Sequence, residues 1–86
     1  MDDDTKLRRQ ALLGLKAKEL RENELLVSIF EGLKAQKLTE WVNCKDRDKR
    51  EQLHAQLQGL IDIWEQITLA LQNGEAAEVF LFAKQP

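Results

Sequence analysis

The sequence predicts an all-α protein: an antiparallel helical hairpin with an extra N-terminal helix, completed by self-association into a helical bundle. Three observations carry this. The 86 residues include only four Gly and one Pro, too few for a loop-rich or all-β domain. Leu, Glu, Gln, Lys and Ala, the strong helix formers, dominate the rest. Leu53, Leu57, Leu60, Trp64, Ile67 and Leu71 repeat every three and four residues, the 3.5-residue period of a helix supercoiled against another helix.

The first helix is expected over about residues 5–21. Asp4 or Thr5 supplies a cap, and the three aspartates at 2–4 suit the positive end of a helix dipole. Leu7, Ala11 and Leu15 form one stripe; Leu13, Ala17 and Leu20 form another. Gly14 weakens the middle by about 1 kcal/mol relative to Ala. Such a weakly amphipathic helix predicts loose attachment.

The second helix is expected over 24–42. Leu26, Val27, Ile29, Phe30, Leu33, Leu38, Trp41 and Val42 occupy roughly half its circumference, a core-facing arc. Lys34 and Lys37 intrude there, with stems able to cover apolar surface while the ammonium reaches water. Asn23 is a plausible cap, and whether the first two helices are continuous stays open.

The third helix is expected over 46–73. Asp48 and Glu51 have capping-box spacing. Gly74 supplies the left-handed residue with which helices commonly stop. The link at 43–45 is short, which makes the second and third helices antiparallel neighbours. Phe30, Leu33, Leu38 and Trp41 then pack against the seam, with Ile63 and Ala70 left on a flank for a further neighbour. One hairpin cannot hide two apolar faces and two tryptophans, and a chain this short buries only about 60–65% of its unfolded surface. Either the first helix folds over it or a second copy does, and a symmetric dimer is the commonest solution. Residues 1–74 thus form one helical domain, followed by an apolar tail at 75–86.

Function classes narrow by elimination. The net charge of −2 gives no long-range pull toward phosphate backbones. In Lys45-Asp46-Arg47-Asp48-Lys49-Arg50-Glu51 the signs alternate, which reads as a solvated helix start with Asp46–Arg50 and Arg47–Glu51 pairs. The alternative is that Arg47, Lys49 and Arg50, standing where a helix dipole disfavours positive charge, serve an external carboxylate or phosphate. The interleaved aspartates disfavour nucleic acid, because they cancel most of the counterion-release gain. His54 has no second histidine or nearby cysteine to share a metal, and Cys44 has neither a disulfide partner nor a catalytic base. The carboxylate pairs Asp62/Glu65 and Glu75/Glu78 lack the partner groups that acid–base chemistry requires. The expectation is no enzyme, no metal and no cofactor.

Met1-Asp2-Asp3-Asp4 is the opposite of a basic signal-peptide start, and the longest apolar run, Val79 to Ala83, falls far short of the ~20 residues of a membrane span. With a lone thiol, which fits a reducing compartment, this predicts a chain neither secreted nor membrane-spanning. Trp41 and Trp64 are expected in the hairpin or dimer interface, where tryptophan also serves as a binding anchor. The segment Val79, Phe80, Leu81 and Phe82 is β-prone and follows the expected helix stop. It either folds back on the hairpin or docks on another protein, adding a strand or filling a groove.

The tryptophan near one helix end, then Asp46-x-Asp48-x-Arg50-Glu51-x-Leu53, leucine-type spacing through Leu57, Leu60 and Ile67, and Gly74 with Ala76, resembles small helical tailed-bacteriophage proteins encoded among head and packaging genes. The resemblance covers residues 23–77; the first twenty residues and the apolar tail depart from it. It implies a phage origin, and so host cytoplasm or virion, and no site residues. The expected function is a non-catalytic interaction module that self-associates, as a dimer, and docks on a larger protein partner such as a virion component. The alternative is a small phage-encoded inhibitor or regulator of a host enzyme or defence complex, with nucleic-acid binding third.

Overall fold

The computed structural model describes residues 2–83, and among these the chain is entirely helical apart from two short breaks. The helices are α1 (Asp2–Glu22), α2 (Glu24–Asn43) and α3 (Arg47–Ala83). No strand occurs among the described residues, as the composition requires. The last residues of the expected tail, 84–86, lie outside the described residues.

Both breaks are made by local side-chain chemistry. Asn23 alone separates α1 from α2. It adopts an extended conformation (φ −73°, ψ 108°), and its side-chain oxygen accepts the Leu26 N–H at 3.0 Å. That bond satisfies one of the orphan donors at a helix start, so the two helices are distinct. At the second break the Cys44 N–H donates to the Trp41 carbonyl at 3.3 Å and closes α2. The Asp46 carboxylate then accepts the N–H groups of Asp48 (3.0 Å) and Lys49 (3.4 Å), starting α3. Asp46, not Asp48, is therefore the cap of the third helix.

Two expected boundaries are corrected. α1 begins at Asp2, so Asp4 and Thr5 lie within the helix instead of capping it. α3 runs on to Ala83, and the expected end at residue 73 is wrong. Gly74 is not a stop: no glycine among the described residues has a positive φ. Residues 75–78, Glu-Ala-Ala-Glu, are strong helix formers that carry the helix past the glycine.

Contacts between helices fall in reverse chain order along α3. Arg50 meets Trp41, Trp64 meets Phe30, and Gly74 meets Gly14. Leu53, Leu57, Leu60, Trp64, Ile67 and Leu71 are all half-buried, and the line continues through Gly74, Ala77 and Leu81. At its far end the packing is close. A methyl group placed on Gly74 would fall 2.5 Å from the Gly14 Cα, and one on Gly14 would fall 2.6 Å from the Gly74 Cα. Ala17 and Ala77, one turn along from the two glycines, are the buried apolar residues among the described residues. Loose attachment of α1 is thus corrected: it turns its smallest residues inward and meets α3 backbone to backbone. Of the first stripe expected on α1, Leu7 and Ala11 are half-buried while Leu15 is exposed; of the second, Ala17 is buried while Leu13 and Leu20 are exposed.

The chain spans 62 × 25 × 14 Å with a radius of gyration of 18.0 Å. A globular chain of this length has a radius near ~12 Å. The molecule is a plank one helix thick, with two broad faces and no enclosed core.

Candidate interaction surfaces

The faces are defined by which flank of each helix lies beside the inward line. On α1 the inward line runs through Leu7, Gly14 and Ala17. At 100° per residue, Lys6, Gln10, Leu13 and Leu20 share one flank, and Leu15, Lys18 and Glu22 share the other. Grooves beside α3 fix the correspondence. Lys6, Leu7 and Gln10 line one with Phe80, whereas Lys18, Arg21 and Glu22 line another with Leu71 and Glu75. On α2, whose inward line runs through Phe30 and Trp41, Ile29, Leu33 and Glu40 share a flank, and Glu31, Lys34 and Leu38 share the other. Lys37 and Glu40 face Lys49, Gln52 and Gln56 across one groove; Glu31 and Lys34 face Ile61 and Glu65 across its counterpart.

The first face accordingly presents Leu13, Leu20, Ile29, Leu33 and Ile63, with Phe80 at one end, while Leu69 and Asp62 lie along the outer edge of α3. The second presents Lys18, Glu22, Glu31, Lys34, Glu65 and Glu75 among its apolar residues, and the Arg50 end lies on the same side. Phe30 and Trp64 meet between the faces, with ring centroids 5.1 Å apart and planes tilted by 55°. The Arg21 guanidinium stands 6.0 Å from the Trp64 centroid. That geometry suits an aromatic pair, whose negative ring faces attract cations and positive edges.

The residues expected to form a helix–helix interface divide by exposure. Phe30, Trp41 and the α3 seam are half-buried, while Leu33 and Leu38 are exposed. The cations expected to share an anion do not converge. Arg47 pairs with Glu51 at 3.7 Å, fully in solvent, and lines a groove with Trp41, Lys45, Arg50 and His54. Lys49 lines the groove on the opposite face. The expected Asp46–Arg50 pair is replaced: Arg50 donates to the Cys44 carbonyl at 3.1 Å and lies 4.5 Å from the Trp41 centroid. Arg50 is thus a clasp across the turn, and Asp46 is spent on backbone amides. The half-buried Cys44 thiol approaches the Asp46 carbonyl at 3.5 Å.

The expected docking residues lie on the last turns of α3. Val79, Phe80 and Phe82 are 68%, 61% and 79% exposed, and Leu81 is half-buried. Their backbone polar groups belong to a helix, which removes strand addition as a docking mode; the side chains remain free to fill a groove. Among the described residues there is no cluster of three or more His, Cys, Asp or Glu residues able to hold a metal ion, and no helix is long and apolar enough to cross a membrane.

Two features escaped the sequence reading. The Gly14/Gly74 crossing has a signal in the matched spacing Gly14-x-x-Ala17 and Gly74-x-x-Ala77, small residues on one face of each helix. The Arg50 clasp has none beyond Arg50 lying nine residues after Trp41. No protein-family model matches the chain, and no curated protein or solved structure matches it.

Proposed function

We propose that the chain is a non-catalytic helical interaction module: an antiparallel hairpin, with α1 and α2 as one arm and α3 as the other, that self-associates and docks on a larger protein partner. The observation that carries this is the inverted burial. Fourteen large apolar side chains among the described residues are exposed, while the buried apolar residues are two alanines. Domains hold together as packed layers around a core, and one layer of helices has no core to offer. Covering that surface is what drives association, at about 25 cal/mol per Å² of apolar area removed from water.

Phe80 and Phe82, on the exposed end of α3, supply the contact with the larger partner, since aromatic side chains in a small patch are common binding anchors. The phage resemblance makes a virion component the partner class to test. Light scattering at micromolar concentration is expected to give about twice the 10.0 kDa chain mass, and a strict monomer removes the self-association. Recovery of the chain with purified particles, lost in a Phe80→Ser/Phe82→Ser variant that still dimerises, is the expected result for the docking half.

A further inference from the structure

The proposed self-association leaves open which of the two broad faces is covered, and by what. From Leu13 to Leu33 on one arm and from Gln52 to Asn73 on the other, the first face carries no charged side chain, its polar groups there being amides such as Gln52, Gln56 and Asn73; its charges, Lys6 at one end and Lys37, Glu40 and Lys49 at the other, stand outside that stretch. The second face carries charges along its whole length, from Arg47 and Glu51 through Lys34, Glu31 and Glu65 to Lys18, Glu22 and Glu75. Charge is depleted from the centre of interfaces and kept on surfaces that stay wet.

Area fixes the scale. The chain exposes 6978 Å². A folded monomer of its 10.0 kDa mass exposes about 5,200 Å², so the excess is roughly 1,800 Å². A standard interface covers about 800 Å² per partner, so one face of this plank meets the requirement. The cover must be flat and apolar over the middle of the 62 Å molecule, and the same face of a second copy has that shape. A two-fold axis through the middle of the face lays Leu and Ile on Leu and Ile, and places the charged ends at the rim.

Resting on that self-association, we infer that the face whose middle is free of charge, centred on Ile29 and Ile63, is the homodimer interface, where two copies stack face to face into two layers of helices. The charged face then remains outside, and the exposed α3 ends are left to other partners.

The full chain tests this in three arms. Ile29→Glu and Ile63→Glu, at side chains 48% and 52% exposed, are expected to weaken the dimer at least tenfold in sedimentation velocity. Leu15→Glu and Leu38→Glu, at 52% and 49% on the charged face, are expected to change it less than twofold. Circular dichroism of each variant checks helicity. A second arm avoids charge altogether: in a Cys44→Ser background, Ile63→Cys and Glu65→Cys sit at one height on opposite faces. A short bismaleimide is expected to link copies through Ile63→Cys and leave Glu65→Cys single. Third, dimer affinity is expected to change little between low and high salt, since no exposed charges are paired across the face.

A wild-type chain that is monomeric overturns the self-association itself. A dimer that is broken by the Leu15 and Leu38 variants, linked through Glu65→Cys, or steeply weakened by salt leaves the self-association standing and overturns the face.

Discussion

α3 is held along its two halves by opposite means. Near Gly74 it meets α1 through glycine and alanine, so close that neither glycine has room for a methyl group. Near Trp64 and Arg50 it meets α2 through rings and a guanidinium, beside open grooves on both faces. The first contact is close and is specified by the absence of side chains. The second is built of large half-exposed groups, whose side chains remain available to whatever covers the plank. Small residues fix where the helices cross; large ones set how much surface is left for a partner.

The largest expected break in this comparison is at the tight end. Gly74→Leu puts a side chain where the Gly14 Cα, the Gln10 carbonyl oxygen and the Gly14 nitrogen already stand, all of them backbone atoms. Overpacking of this kind costs about 3 kcal/mol or more when no flexible side chain can yield. Urea unfolding is expected to show a fall of that size, with Gly14→Leu matching it. If Gly74→Leu leaves the midpoint unchanged, the close crossing is not what fastens α1.

At the open end the same test is milder. Trp64→Ala removes the ring partner of Phe30 and the cation contact with Arg21. Both rings are half-buried, so the loss is expected near 2 kcal/mol, below the cost of truncating a fully buried aromatic. Between the two ends lies the joint of the long arm. Asn23→Ala deletes the bond from its side-chain oxygen to the Leu26 N–H, with an expected cost of about 1 kcal/mol and frayed helicity at the start of α2 by hydrogen exchange. A loss equal to that of Gly74→Leu would mean that the joint, not the crossing, positions α1.

The contrast also explains what was legible in the sequence. The α3 seam was readable because its inward residues are large, and large apolar residues at heptad spacing leave a periodic mark. Asn23 was readable because a cap acts on its own next few residues. α1 was misread because periodicity counts size: its leucines at 13, 15 and 20 point outward, and after Leu7 its inward line runs through the small Ala11, Gly14 and Ala17. Gly74 was read as punctuation because one residue type serves two purposes, positive φ and close approach, and only the neighbouring helix says which. The β-prone Val79 to Phe82 became helix because the strong helix formers just before it extend α3. The cation cluster was legible as a cluster in sequence, yet successive residues of a helix face different ways, which sends Lys49 to one face and Arg47 and Arg50 to the other.

Glycines with no neighbour supply the smallest effect and the sharpest control. Gly32 lies mid-way along α2 and Gly59 within α3, and a methyl group on either would meet nothing within 4 Å. Neither needs the freedom of glycine, since both have ordinary helical backbone. Replacing them with Ala removes unfolded-state entropy without a clash, so each is expected to stabilise by about 0.5–1 kcal/mol in thermal or urea unfolding. Gly14→Ala and Gly74→Ala, the same chemical change in the same kind of helix, are expected to move stability the other way. The sign of the methyl's effect therefore maps helix contact directly: positive where the helix faces open space, negative where another backbone lies against it. Equal stabilisation at all four positions would place α1 away from α3 in solution.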